Sequence, residues 1–355
     1  MAISSTRKHR IALIPGDGIG GEVTDAAVEV LEAGASRFGY TLETTRFPWS
    51  CDYYLAEGRM MPEEAIESLR AFDSILLGAV GWPQLVPDSV SLHGLLLPIR
   101  KSFDLYVSAR PHRLLAGVKG PLRAEAFDIL CIRENTEGEY SGAGGRIHVG
   151  GPDEVAVETA IFTRRGVERI LRYGFEQARK RSGRLASVTK SNAQKHSMVF
   201  WDDVTDEIAA DYPDVTVTRY HIDAIAARFV MQPDSLDVVV ASNLFGDILT
   251  DLGAAIQGGL GFAPAANINP AGDVPSMFEP VHGSAPDIAG RGLANPIAAI
   301  WSGAMMLEHL GETASAAAIL AAVERVTAHP TIRTPDQGGT ATTSDVARAI
   351  ADDLR

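Results

Sequence analysis

Residues 237–255 read DVVVASNLFGDILTDLGAA, and this stretch holds the pattern that decides the fold. The run 237–241 is short, apolar and rich in valine, as a strand covered on both faces is. The segment after it places Asp247 and Asp251 four residues apart, so on a helix both project from one face. A buried strand feeding a helix is the repeating unit of an α/β protein. The same style recurs along the chain. Residues 74–80 (SILLGAV), 129–133 and 186–189 read as buried strands, and 42–47 alternates like a strand. Residues 10–14 form another, ended by the turn Pro15-Gly16-Asp17-Gly18. Helical spacing covers 23–35, 164–181 and 195–210. A further helix is expected over 62–70, which opens with proline and two glutamates. The alternation predicts an α/β architecture with largely parallel pairing.

The chain has 355 residues, which implies two domains or one large α/β unit. With 32 basic and 45 acidic residues the net charge is −13, which argues against a nucleic-acid backbone or an anionic membrane as main partner. No apolar run approaches the roughly 18–20 residues that span a bilayer. The basic start, 1–10, is followed by a short apolar run, 11–14, too brief for a signal-peptide core. The two cysteines, Cys51 and Cys131, read as buried free thiols in a reducing cytoplasm. The Gly/Pro-rich stretch 258–275 is a candidate inter-domain crossing, and 110–121 is a second. Residues 142–153 read as a Gly-rich loop leading into an antiparallel strand over 155–162.

Five groups of residues carry chemistry, each with a plainer alternative. Gly16-x-Gly18-x-x-Gly21 matches the dinucleotide fingerprint by spacing, but a tight strand-to-helix turn explains it better. Arg100, Arg110 and Arg133 lie at or near the ends of apolar runs. Converging guanidinium forks suit a di- or tricarboxylate, and separate structural ion pairs are the alternative. Asp247 and Asp251 repel one another on a helix unless a divalent cation lies between them. Hard oxygen ligands favour Mg²⁺ or Mn²⁺, with Asp223 as a candidate third ligand. The alternative is the ordinary enrichment of aspartate in a first helical turn. Lys190 follows an apolar strand, where open α/β sheets bind ligands, and is a candidate base; Tyr140 is a candidate acid. Finally, Glu279 to Asp287 and Asn295 lie on a polar loop whose amides suit an adenosine. Asp287 would accept from a ribose 2′-hydroxyl, which favours NAD over NADP.

The order of these motifs is more telling than any one of them. IPGDGIGGEV (14–23), LLPIRKSFDLYVSARP (96–111), IRENTEGEYSG (132–142), VTKSNAQ (188–194), HIDAIAA (221–227), SNLFGDILTDLGAAIQGGLG (242–261), FEPVHGSAPDIAGRGLANPIAA (278–299) and TPDQGGTATT (334–343) follow in sequence. Together they resemble the metal-dependent β-decarboxylating dehydrogenases, the isocitrate and 3-isopropylmalate dehydrogenase family. The resemblance implies an isopropylmalate dehydrogenase-like α/β fold with a mixed sheet, not a Rossmann fold. It implies a larger cofactor-binding domain of 1–105 plus 258–355. A smaller substrate, metal and dimerisation domain, 106–257, would carry an arm that clasps the partner.

The resemblance also implies roles. Arg100, Arg110 and Arg133 bind substrate carboxylates, Tyr140 is the acid and Lys190 the base. Asp223, Asp247 and Asp251 hold Mg²⁺ or Mn²⁺. His282, Gly283, Ser284, Ala285, Pro286, Asp287, Ile288 and Asn295 bind NAD. The protein would be a cytoplasmic homodimer, with Lys190 and Asp223 donated across the interface and potassium as an activator.

Residues ahead of Arg100 are expected to line the pocket for the substituent on the substrate's third carbon. Gly94 and Leu96 stand where bacterial-type isocitrate enzymes carry Asn or Ser, so a third carboxylate lacks its partners. Leu96 and Leu97 fit the isopropylmalate pattern, but His93 replaces its glutamate. The runs 86–111, 133–146, 161–176, 189–198 and 227–247 are similar to the tartrate and D-malate dehydrogenase branch, although His93 departs from the tryptophan expected there. That branch implies oxidation of D-malate to pyruvate and CO₂, or of tartrate. 3-Isopropylmalate is the alternative substrate, and a non-catalytic regulatory subunit the alternative of another class.

Overall fold

The computed structural model describes residues 7–122 and 126–355, so the first six residues of the basic start lie outside the described residues. In chain order the strands are β1 (Arg7–Gly16), β2 (Tyr40–Arg46), β3 (Ser74–Ala79), β4 (Val107–Arg113), β5 (Asp128–Glu134), β6 (Gly138–Ile147), β7 (Val155–Ile161), β8 (Arg184–Thr189), β9 (Thr216–His221), β10 (Val238–Ala241), β11 (Pro264–Ile268) and β12 (Ser276–Pro280). The chain forms two compact units. The first comprises residues 1–105, 114–121 and 257–355, the second 106–113 and 122–256.

In the first unit the strand order is β2-β1-β3-β12-β11. All neighbours are parallel except β11 and β12. This is not the 3-2-1-4-5-6 order of the dinucleotide-binding fold. Helix Gly20–Phe38 buries Val23, Ala27, Val30 and Leu31. It ends at Gly39 in the left-handed conformation, as helices commonly do. Ile14, Trp49, Leu69, Leu77, Ile99 and Phe103 belong to one apolar cluster in this unit. Burying a side chain of that size is worth about 1.5–3 kcal/mol.

In the second unit the order is β4-β5-β10-β8-β9. β4 and β5 are antiparallel and the remaining pairs are parallel. The sheets are therefore mixed, and the parallel strands β3 and β10 are buried from end to end. β6 and β7 form a separate antiparallel ribbon. It exposes Ile147, Val155, Val157 and Ile161. Among the described residues no helix is long and apolar enough to cross a membrane.

The structure departs from the sequence reading in four places. Only Ala65–Leu69 of the expected 62–70 helix is helical, because Pro62 starts a turn closed by the Ala65 amide on its carbonyl. The Gly-rich run after 142 is largely strand, since backbone pairing with β7 needs no side chain. The chain changes unit between 256 and 257, at the edge of the stretch 258–275 read as a crossing, and the body of that stretch holds β11 instead. Residues 114–121 pack with the first unit, where the Gly117 carbonyl accepts from Arg333 at 3.1 Å.

His112 on β4 is fully buried, and burial holds its imidazole down to about 3, hence neutral. A Cβ built on Gly253, in helix Asn243–Ile256, would lie 2.6 Å from that ring. Gly253→Ala is therefore expected to cost about 1–3 kcal/mol by overpacking. A denaturant melt showing no loss would contradict this.

Candidate active site

The second unit brings Arg110, Arg133, Tyr140, Asp247 and Asp251 together. Ser108 pairs with Arg133 and Arg110 with Cys131 across β4 and β5, so the pleat puts Arg110 and Arg133 on one face. Both guanidiniums are buried. Arg110 donates to the Thr250 hydroxyl at 2.9 Å. Arg133 donates to Asn243 Oδ1 from Nε at 3.1 Å and from Nη2 at 2.7 Å. Its Nη1 pairs with Asp247 Oδ1, and Arg110 Nη1 lies 3.9 Å from the same oxygen. Tyr140, at the start of β6, donates to Asp247 Oδ2 at 3.0 Å. The Arg133 guanidinium lies 5.5 Å from the Tyr140 ring centre.

These partners come from one helix. Asn243, Asp247, Thr250 and Asp251 all belong to Asn243–Ile256. Burial raises the Asp251 carboxyl above its ordinary range. The Arg110 charge opposes that shift, and the Asp247 charge adds to it. A divalent cation would reverse the repulsion between the two carboxylates, and an oxygen-only donor set fits Mg²⁺ or Mn²⁺. Arg110 and Arg133 balance Asp247 and Asp251 in charge, so a dication and a dicarboxylate dianion added together leave the balance intact. Burial, then the Asp247 charge, raises the Tyr140 phenol above its ordinary value. It is therefore protonated throughout the neutral range.

Lys190 follows β8, and Asp223 sits in the first turn of helix Ile222–Met231. Lys190 Nζ donates to Asp223 Oδ1 at 2.6 Å, and that hydrogen bond lowers the Asp223 carboxyl. Within one chain Asp223 thus faces Lys190 and does not join Asp247 and Asp251. Among the described residues no three His, Cys, Asp or Glu side chains gather into a metal-binding group.

The first unit carries the remaining candidates. Leu92–Leu96 is a single π-helical turn leading into helix Leu97–Ser102, a feature frequent at functional sites. His93 is exposed there, while Leu96 and Leu97 are half-buried. Arg100 is buried, and its Nη2 donates to Glu279 Oε1 at 2.5 Å. Asn267 Nδ2 donates to the same oxygen at 2.8 Å. Arg100 Nε is buried with no hydrogen-bond partner among the described residues. Sequence reasoning missed the pairing partner Glu279, although an acid inside the apolar run SMFEP was a signal.

Residues 281–290 form a loop braced by the turn at 16–21. The Ile19 amide donates to the Ser284 carbonyl at 2.8 Å, and the Ser284 hydroxyl donates to the Gly81 carbonyl. Gly16 and Gly18 have positive φ, and a Cβ on Gly18 would meet the Ser284 carbonyl, so the Gly-x-Gly spacing serves this close approach. Gly283 and Asp287 are exposed, and Ala285, Pro286 and Ile288 are half-buried. Ala285 is left-handed, at φ 38°. Burial lowers the His282 imidazole, and its Nε2 is buried without a hydrogen-bond partner among the described residues. Asn295 Oδ1 accepts from the Ile297 amide, and its Nδ2 donates to Asp336 at 3.1 Å. A groove of about 880 Å³ runs past Gly18, Arg46, Phe47, Trp82 and Ala289. Of the loop only Ala289 lines this groove, so the fit to a dinucleotide rests on the braced polar loop and the orphaned His282 ring nitrogen.

The profile of the isocitrate/isopropylmalate dehydrogenase family matches residues 10–350. The probable tartrate dehydrogenase/decarboxylase of Bacillus subtilis (strain 168) is 53% identical, covering 98% of this chain and 99% of the relative. The D-malate dehydrogenase [decarboxylating] of Escherichia coli (strain K12) is also 53% identical, covering 96% of this chain and 97% of the relative. The crystal structure of isocitrate dehydrogenase from Methylococcus capsulatus superposes with a TM-score of 0.88 at 37% identity, covering 98% of this chain and 99% of that one.

Proposed function

Because this chain belongs to the isocitrate/isopropylmalate dehydrogenase family, we propose that it oxidises a small 2-hydroxy dicarboxylate, D-malate or tartrate, and releases CO₂ from it. The observation that carries this reading is the meeting of Arg110, Arg133 and Tyr140 at Asp247. Two buried guanidiniums recognise a carboxylate, a phenol supplies a proton and an acidic helix face suits a cation. Arg100, whose buried Nε has no hydrogen-bond partner among the described residues, is the third carboxylate-binding residue.

For D-malate the overall change is oxidation of the carbinol at C2 and loss of the C4 carboxylate as CO₂, leaving pyruvate. Lys190 takes the hydroxyl proton. The C–C bond to the departing carboxylate breaks into an enolate, and Tyr140 gives its phenolic proton to C3. Arg110 and Arg133 hold the reacting end fixed, which turns proton transfer into a local event. NAD⁺, held by His282 to Ile288 and Asn295, supplies the hydride acceptor. Asp223, Asp247 and Asp251 would hold a divalent cation, which would supply Lewis acidity to the reaction. Lys190 and Asp223 reach this site from the partner of a homodimer, an assignment supported by their pairing away from Asp247 within one chain. The setting is cytoplasmic, in keeping with two buried free thiols, and potassium is an activator.

Initial NADH production with Mn²⁺ tests the reading on D-malate, the tartrate isomers, 3-isopropylmalate and isocitrate. D-malate or tartrate is expected to lead, with NAD⁺ preferred over NADP⁺ because Asp287 would repel a 2′-phosphate. A lead for 3-isopropylmalate would show that Leu96 and Leu97 outweigh the missing glutamate at position 93. Folded protein silent on every substrate would point to a non-catalytic subunit.

A further inference from the structure

Glu139 touches no reacting group in the mechanism above, yet it is the neighbour of the residue that does. Its Oε1 accepts from the Ser242 hydroxyl at 2.8 Å, and its Oε2 accepts from the Leu244 backbone amide at 3.0 Å. Those residues flank the start of helix Asn243–Ile256. The first amides of a helix have no intrahelical acceptor, and a carboxylate there is favoured by both hydrogen bonding and charge. Glu139 thus caps the helix from a separate strand.

The next residue reaches the same helix one turn on, where Tyr140 donates to Asp247 Oδ2 at 3.0 Å. The Glu137 carbonyl adds a third tie by accepting from Asn243 Nδ2 at 3.0 Å. Consecutive side chains of a regular strand face opposite ways. Here the β6–β7 register shifts between Gly138 and Ala143, across the residues that both turn to the helix. Tyr140 itself is 39% exposed, so packing does little to hold it. Its hydrogen bond goes to Asp247, which the proposed mechanism assigns to the cation. The anchoring of β6 therefore helps to fix the phenol independently of that bond, beside the Arg133 guanidinium 5.5 Å from its ring.

We infer that Glu139 is a positioning residue. By clamping β6 to the first turn of helix Asn243–Ile256, it sets the Tyr140 phenol relative to Asp247, so that the proton reaches the carbon that loses CO₂. The inference rests on Tyr140 being the acid.

A double-mutant cycle separates this from general loosening. Pyruvate formation from D-malate with NAD⁺ and Mn²⁺ is measured for the wild type, Glu139→Ala, Tyr140→Phe and the double variant. Glu139→Ala is expected to lower kcat roughly tenfold with KM within about twofold, and to have no further effect in the Tyr140→Phe background. Glu139→Gln keeps one acceptor and is expected to lose about threefold, again only where Tyr140 is present. It carries the comparison if the alanine variant fails to fold. Equal losses in both backgrounds, or no loss in the wild-type background, would overturn the inference and leave Tyr140 as the acid. A Tyr140→Phe protein as fast as the wild type would remove the acid assignment and the inference with it.

Discussion

Asp247→Asn is expected to lower kcat/KM on the order of 10³-fold while the protein stays folded. Asp247 is where the charges of the site meet: Arg133 and Tyr140 bind its two oxygens, and Arg110 lies 3.9 Å away. Asparagine keeps the shape and removes the charge. The cation then loses one of its anionic ligands, and two buried guanidiniums lose the carboxylate between them. Arg133 keeps both bonds to Asn243, and Arg110 keeps Thr250, so the backbone is still tied. The stability cost should stay near 1–3 kcal/mol, the usual penalty for weakening a buried charged hydrogen bond. The checks are Mn²⁺ binding by calorimetry and a denaturant melt beside the kinetics. Loss of binding and turnover with a cooperative melt is the expected result. Wild-type turnover in the variant would contradict the assignment.

What could be read in the sequence follows a physical division. Arg110, Arg133 and Asp247 stood out because a charge inside or just after an apolar run must find a partner or a ligand. Asp247 and Asp251 were legible as a pair because a helical period of 3.6 fixes which residues share a face. Their partners were not legible. Thr250 meets Arg110 and Glu279 meets Arg100 only because distant segments fold together. Glu139 carried no signal in the sequence, because the Ser242 hydroxyl and Leu244 amide that it binds come from a distant segment. The ribbon β6–β7 was half hidden, since glycine carries no alternation of polar and apolar side chains. The stretch 110–121 was legible as a crossing, but the return of 114–121 to the first unit was not, because Arg333, the donor to the Gly117 carbonyl, is distant in sequence.

Tyr140→Phe is expected to slow pyruvate formation about a hundredfold, the range for loss of a positioned general acid. The substitution removes one hydroxyl from a residue that is 39% exposed, so the melt should hardly move. Oxidation and CO₂ release should suffer less than protonation of C3, because the phenol gives its proton only after the C–C bond breaks. NADH and CO₂ formation should therefore outrun pyruvate formation, with the enol of pyruvate making up the difference. The raised phenol also fixes a sign in pH. An acid whose ordinary value is near 10 and is pushed higher remains protonated through neutral and mildly alkaline solution, so a fall in rate between pH 7 and 9 would have to come from another group. Equal slowing of NADH and pyruvate would place Tyr140 in substrate binding instead.

The most direct test of oxidative decarboxylation is a paired measurement on the unaltered protein. NADH and CO₂ are followed together from D-malate and NAD⁺, first with Mn²⁺ and then after chelation. Equal amounts of NADH and CO₂ are expected with the metal, and neither without it. NADH without CO₂, or undiminished turnover after chelation, would contradict this expectation.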